Sequence, residues 1–111
     1  MEERIYQEAQ QFTKKNCPKA IDKFTMLDSC TFSITERTYY YNYTVRGALD
    51  VDSLYTQKLY DLFRDQLLSE IKNSIQLKNC KDAGISFCYR YYRDRTGKIQ
   101  MIQRFTSKDY K

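Results

Sequence analysis

Apolar positions follow two rhythms along this chain, and the change from one to the other predicts its elements. Over residues 2–15 Ile5, Ala9 and Phe12 fall at i, i+4 and i+7, with Glu2 and Glu3 in the first turn and Lys14 and Lys15 in the last. That is the pattern of an amphipathic helix with its dipole compensated at both ends. Asn16 is placed for a left-handed cap, and Pro18 cannot continue the helix. The stretches FTMLDSCTFSI and RTYYYNYTVRG then alternate with a period of two. The first carries Cys30, Phe32 and Ile34 on one face. The second sets Tyr39, Tyr41, Tyr43 and Val45 against Thr38, Tyr40, Asn42, Thr44 and Arg46. A helical stripe returns over 52–75, in Tyr55, Leu59, Leu62, Phe63, Leu67, Ile71 and Ile75, with Asp50, Asp52 and Ser53 as N-terminal caps. LKNCKDAG reads as a short helical exit ending at Gly84. ISFCYRYY and IQMIQRFT alternate again around RDRTGK, where Gly97 is free to take positive φ.

The order α-β-β-α-β-β predicts an α+β fold in two layers: a four-stranded antiparallel sheet with both helices on one face. Hairpins are expected near 24–46 and 85–107. The core is expected to hold Ile5, Phe12, Phe32, Tyr41, Val45, Leu59, Leu62, Phe63, Leu67, Ile71, Phe87 and Met101. At 111 residues the chain is expected to form a single domain, 1–111, with no repeat or linker. No apolar run approaches the roughly 18 residues of a membrane span, and the opening MEERIYQEAQ lacks the apolar core of a signal peptide.

Absences narrow the chemistry. With no histidine, the commonest general base and the Ser-His and Cys-His couples are missing. Three scattered glycines build no phosphate-cradling loop, and no Cys-x-x-Cys pair marks a zinc or redox motif. Asp61 and Asp65 read as one solvated helix face laced with ion pairs. The expectation is a protein that is not an enzyme and needs no cofactor or metal.

Charge then locates a surface. Residues 1–84 are balanced, whereas 85–111 carry seven positive charges against two negative, so the whole net charge of +5 lies in the closing hairpin. If the helices cover Tyr39, Tyr41 and Tyr43, then Tyr40, Arg46, Arg90, Tyr92 and Arg104 project together on the open face. Large rings beside guanidiniums suit a protein contact, either a partner or a second copy in a homodimer. The reading is an interaction module of accessory, inhibitory or immunity type. The alternative is nucleic-acid binding through the basic hairpin 85–108, where rings would stack on bases and arginines meet phosphates.

The four cysteines are read either as small buried thiols or as partly bridged. Cys17 and Cys80 each follow a helix end and form the candidate disulfide; Cys30 and Cys88 lie inside strands.

NCPKAID, YYNYTV ahead of a long amphipathic helix, and GISFCYRYYRDRTGKIQMI resemble a family of small bacterial proteins of unknown function. Their shared features are an Asn-Cys-Pro entry, a Tyr-x-Tyr-Thr strand and a closing Tyr-x-Tyr…Gly-Lys hairpin, and the likeness covers about residues 16–109. Members are exported or lipid-anchored. The resemblance therefore implies a periplasmic or secreted protein, and a cytoplasmic one if no export signal precedes Met1. It carries over no catalytic residue.

Overall fold

The structure, a computed structural model, describes residues 2–47 and 57–111. Its elements are α1 (Glu2–Asn16), β1 (Lys19–Ala20), β2 (Thr25–Ser33), β3 (Thr38–Val45), α2 (Gln57–Asn73), α3 (Lys78–Asp82), β4 (Ser86–Arg93), β5 (Ile99–Phe105) and α4 (Ser107–Tyr110). The start predicted for the second helix at 52, its caps at Asp50, Asp52 and Ser53, and Tyr55 lie outside the described residues.

The architecture is α+β, as the alternation predicts, but the sheet differs from expectation in two ways. It has five strands rather than four, in the order β1-β2-β3-β4-β5. The added strand β1 is two exposed residues paired with β2, too short to leave a period. The sheet is also mixed. β2–β3 and β4–β5 are antiparallel hairpins, but β3 and β4 run parallel, from Thr38 opposite Ser86 to Val45 opposite Arg93. A helical crossover between two neighbouring strands is the connection a parallel pair requires. Alternation within each strand is indifferent to which way its neighbour runs.

α1 and α2 cover the same face. Ile5 and Ala9 of α1, Leu67 and Ile71 of α2, and Phe32, Phe87, Tyr89 and Phe105 of the sheet form one buried cluster. Fully burying each of these large side chains stabilises by about 1.5–3 kcal/mol. Val45 and Met101 are buried as expected, while Tyr41, Leu59 and Phe63 are half-buried. Two predicted core residues are not buried. Phe12, 36% exposed, lies at the rim of a cavity beside α1. Leu62, 63% exposed, sits nine residues before Ile71, a half turn around a helix that advances about 100° per residue. Ile75 is 87% exposed because α2 ends at Asn73. Ile34 opens the β2–β3 turn instead of extending the strand.

Polar groups fasten the elements to one another. Gln103, fully buried on β5, donates from Nε2 to the Tyr60 carbonyl (3.0 Å) and accepts from Arg64 Nη1 (3.3 Å). Arg64 also donates to the Arg104 carbonyl (3.0 Å), lies 4.5 Å over the Phe105 ring and pairs with Asp109 at 3.6 Å. Asn16 does not adopt the left-handed cap: its side chain donates back to the Phe12 carbonyl (3.3 Å). Among the described residues the non-glycine in the left-handed region is Arg37, at φ 51° in the β2–β3 turn, whose guanidinium reaches Glu2 and the Ala83 carbonyl. Gly97 takes φ 70° in the β4–β5 turn, as its position predicts.

Candidate interaction surface

Strand parity sorts the tyrosines of β3. Tyr39, Tyr41 and Tyr43 face the helices and meet Phe87, Tyr89 and Tyr91, their register partners on β4. Tyr41 and Tyr43 stack on Tyr89 and Tyr91, with centroids 4.7 Å apart in both pairs. Burial raises the phenolic pKa of Tyr39, Tyr41, Tyr43 and Tyr89, because it disfavours the phenolate.

The opposite face carries three cross-strand rows. Tyr40, Cys88 and Arg104 form one, Asn42, Arg90 and Ile102 the next, and Thr44, Tyr92 and Ile99 the third. A bulge in β5 between the partners of Tyr91 and Tyr92 turns Ile99 onto this side. Every described helix contributes to the core on the other face, so none covers these rows. Ile99 and Ile102 are 52% and 42% exposed.

The structure thus brings together four of the five residues expected on the open face. The Arg90 guanidinium lies 4.3 Å over the Tyr40 ring, and its Nε donates to Asn42 Oδ1 (2.8 Å), which in turn donates from Nδ2 to Ser29 Oγ (3.0 Å). Arg104 Nη2 donates to Thr38 Oγ1 (3.2 Å). The Tyr40 hydroxyl donates to Glu36, and that bond, with burial, raises its pKa. Tyr92 belongs to the third row. Arg46 is exposed one residue beyond β3, where its backbone N–H donates to the Phe24 carbonyl (2.9 Å), outside the rows. Beneath Tyr40 and Arg104 lies Cys88, whose thiol burial pushes up. All four cysteines are free thiols in this structure, and the candidate bridge between Cys17 and Cys80 is not formed in it.

The helix face of the sheet carries a cavity. α1 packs on β2 whereas α2 packs on β5 and α4, and between α1 and the residues that follow α2 a cavity of about 270 Å³ opens over Tyr39 and Tyr41. Ile5 and Glu8 form one wall, Leu77 and Cys80 the other. The sequence held one sign of it. A core-side strand built from tyrosine instead of leucine or isoleucine leaves hydroxyls that seek water or a partner.

Among the described residues no helix is long and apolar enough to cross a membrane, and no cluster of acidic or cysteine side chains is arranged to hold a metal ion.

The chain belongs to the family described as a domain of unknown function, DUF8479, which it matches over residues 1–101. No curated protein matches the sequence. Three solved structures share the fold. A Pseudomonas aeruginosa protein classed as secreted superposes with a TM-score of 0.78 at 14% identity, covering 99% of this chain and 96% of its own. The pilotin EpsS of the Vibrio vulnificus type 2 secretion system gives 0.71 at 12% identity, over 99% and 91%. The type II secretion system pilotin AspS of Vibrio cholerae gives 0.65 at 15%, over 97% and 90%.

Proposed function

We propose that this DUF8479 domain is a non-enzymatic, protein-binding module of an exported accessory protein, and that it engages an acidic partner surface through the open face of its sheet. The observation that carries this reading is the fixed arrangement of Tyr40, Arg90 and Arg104 beside Ile102, Ile99 and Tyr92 on a face that no described helix covers. Tyr40 and Arg90 hold one another through ring and guanidinium, and Asn42 fixes the fork. A surface ordered before contact gives up little entropy on binding. The surplus of positive charge in 85–111 favours an acidic partner and speeds its approach. The fold shared with two pilotins and a protein classed as secreted supports export and an accessory role.

The test places a photo-cross-linking residue at Ile102, at Phe12 on the cavity rim, and at exposed Lys14, in the native cell. The reading expects a protein adduct from position 102 alone, lost with Arg104→Glu and weakened by salt. Adducts from position 12 alone would move the partner to the helix side and overturn it. Retention of single-stranded oligonucleotide at low salt, with no protein adduct, would replace it with nucleic-acid binding.

A further inference from the structure

Two of the four cysteines converge where α1 meets β2. The Cys17 backbone N–H donates to the Thr13 carbonyl at 3.0 Å. One helical turn before Cys17, the Thr13 hydroxyl donates to the Cys30 carbonyl (2.7 Å) and accepts from the Cys30 N–H (2.8 Å). A single residue therefore holds both segments.

The sheet register sets Cys30 on the side that α1 covers. Lys19 lies opposite Leu27, and Leu27 is buried on the helix side. The bulge at Asp28 shifts the count, so the next helix-side residue of β2 after Leu27 is the buried Cys30, while Ser29 pairs with Asn42 on the open face. Cys17 stands two residues before Lys19. Cys17 itself lies outside β1, just past the end of α1, and Thr13 is what holds it near Cys30. A disulfide needs Cβ atoms about 3.5–4.5 Å apart, the separation that bridging this Thr13-held pair requires. The other thiols are placed differently. Cys88 is on the open face, and Cys80 faces the cavity from α3.

We propose that Cys17 and Cys30 form a disulfide when the folded protein meets a small-molecule disulfide oxidant. The Cys17 thiolate attacks one sulfur of the oxidant, and the other sulfur departs as a thiolate and takes up a proton. Cys30, giving up its proton, attacks the Cys17 sulfur of the mixed disulfide, and the second oxidant thiol leaves with that proton. Two protein thiols are oxidised, and one disulfide is reduced to two thiols. The order follows accessibility: Cys17 is half-exposed and Cys30 is buried. Burial pushes the Cys30 thiol up to about 12, and the neighbouring Cys17 adds to the rise. This assignment stands on the packing of α1 against β2 and is independent of the partner reading.

The experiment incubates the folded chain with glutathione disulfide, alkylates the remaining thiols and maps peptides without reduction. The expected product joins the Cys17 and Cys30 peptides and leaves Cys80 and Cys88 alkylated. Closing a loop of this length raises the melting temperature by on the order of 10 °C, reversed by dithiothreitol. Cys80→Ser gives the same map and shift, and Cys30→Ser loses both. A Cys17–Cys80 peptide, a glutathione adduct on Cys17 that never resolves, or four thiols still alkylated after oxidation would each overturn the proposal.

Discussion

Tyr41 and Tyr89 face each other across the parallel β3–β4 pair with ring centroids 4.7 Å apart and planes within 9° of parallel. Tyr43 and Tyr91 repeat the arrangement one pair along. Parallel strands in register bring like positions side by side, so alternate tyrosines on two strands become a ladder of stacked rings. Tyr41→Ala should cost about 3–5 kcal/mol in urea denaturation. A double-mutant cycle with Tyr89→Ala should return a coupling of about 0.5–1.5 kcal/mol. Additive losses would show that the stacking contributes nothing beyond burial.

Alkaline pH should unfold the protein. Burial holds Tyr41, Tyr43 and Tyr89 well above the ordinary phenol range, and it takes the Cys30 thiol to about 12. In the unfolded chain thiols ionise near about 8.5 and phenols near about 10. Above those values the unfolded state binds fewer protons than the folded state, so stability falls as pH rises. Unfolding free energy should therefore be level near neutrality and decline from about pH 9. Tyrosinate absorbance should rise together with loss of helical circular dichroism, and Tyr89→Phe should shift that transition to higher pH. Titration of every tyrosine near its ordinary value in a still-folded protein would contradict this.

Thr13 joins helix to sheet through one hydroxyl that serves both backbone groups of Cys30. Thr13→Val keeps the shape and leaves a part-buried N–H and carbonyl without that partner. A loss of about 1–3 kcal/mol is expected, with Thr13→Ser close to wild type. Equal stability of the two variants would show that water replaces the hydroxyl.

Arg64 takes part in four contacts that clamp α2 against β5 and α4. Arg64→Ala should cost about 2 kcal/mol and speed hydrogen exchange in α4. Arg64→Lys should restore only part of this, since an ammonium cannot reproduce the planar fork. Full rescue by lysine would mean that charge alone matters.

Tyr40 and Tyr92 lie on the uncovered face. Replacing both by serine should move the melting temperature by only a few degrees, given that surface changes usually stay within about 0.5 kcal/mol. It should also weaken association with the partner captured at Ile102. Arg90, which loses its ring platform, should then show faster side-chain motion by NMR. A fall of the melting temperature as large as that of Tyr41→Ala would place these rings in the core.

Much of this was legible in the sequence, and the failures have physical causes. The spacing of Ile5 and Ala9, the alternation of Tyr39, Tyr41 and Tyr43 against Tyr40, and the glycine at 97 each fix a local conformation. Local rules reach that far. The parity that separates Tyr40 from its neighbours also placed Arg90, Tyr92 and Arg104 on its side. What local rules miss is relation between elements. Nothing in β3 or β4 states that they run parallel. Nothing around Phe12 says that the next helix packs toward β5 on the same face and that a cavity opens between α1 and the residues after that helix. Leu62 completes an apolar stripe by count, but the sheet accepts the side of α2 that carries Arg64, Leu67 and Ile71. On the open face strand parity alone offers the arginines outward. The structure gives Arg90 to Tyr40 and Asn42, and Arg104 to Thr38, contacts that exist only once the strands have paired.

The parallel seam also governs how the chain can fold. Each hairpin closes across a short turn, between Ser33 and Thr38 or between Arg93 and Ile99. Every seam pair, in contrast, joins residues 48 apart, as Thr38 with Ser86. Hairpins form within microseconds, whereas closing a long loop must first overcome its entropy before any contact repays it. Each half of the chain brings a helix and a hairpin with its own neighbours already in place. The slow step is then their encounter, closer in kind to two proteins meeting than to one chain zipping shut.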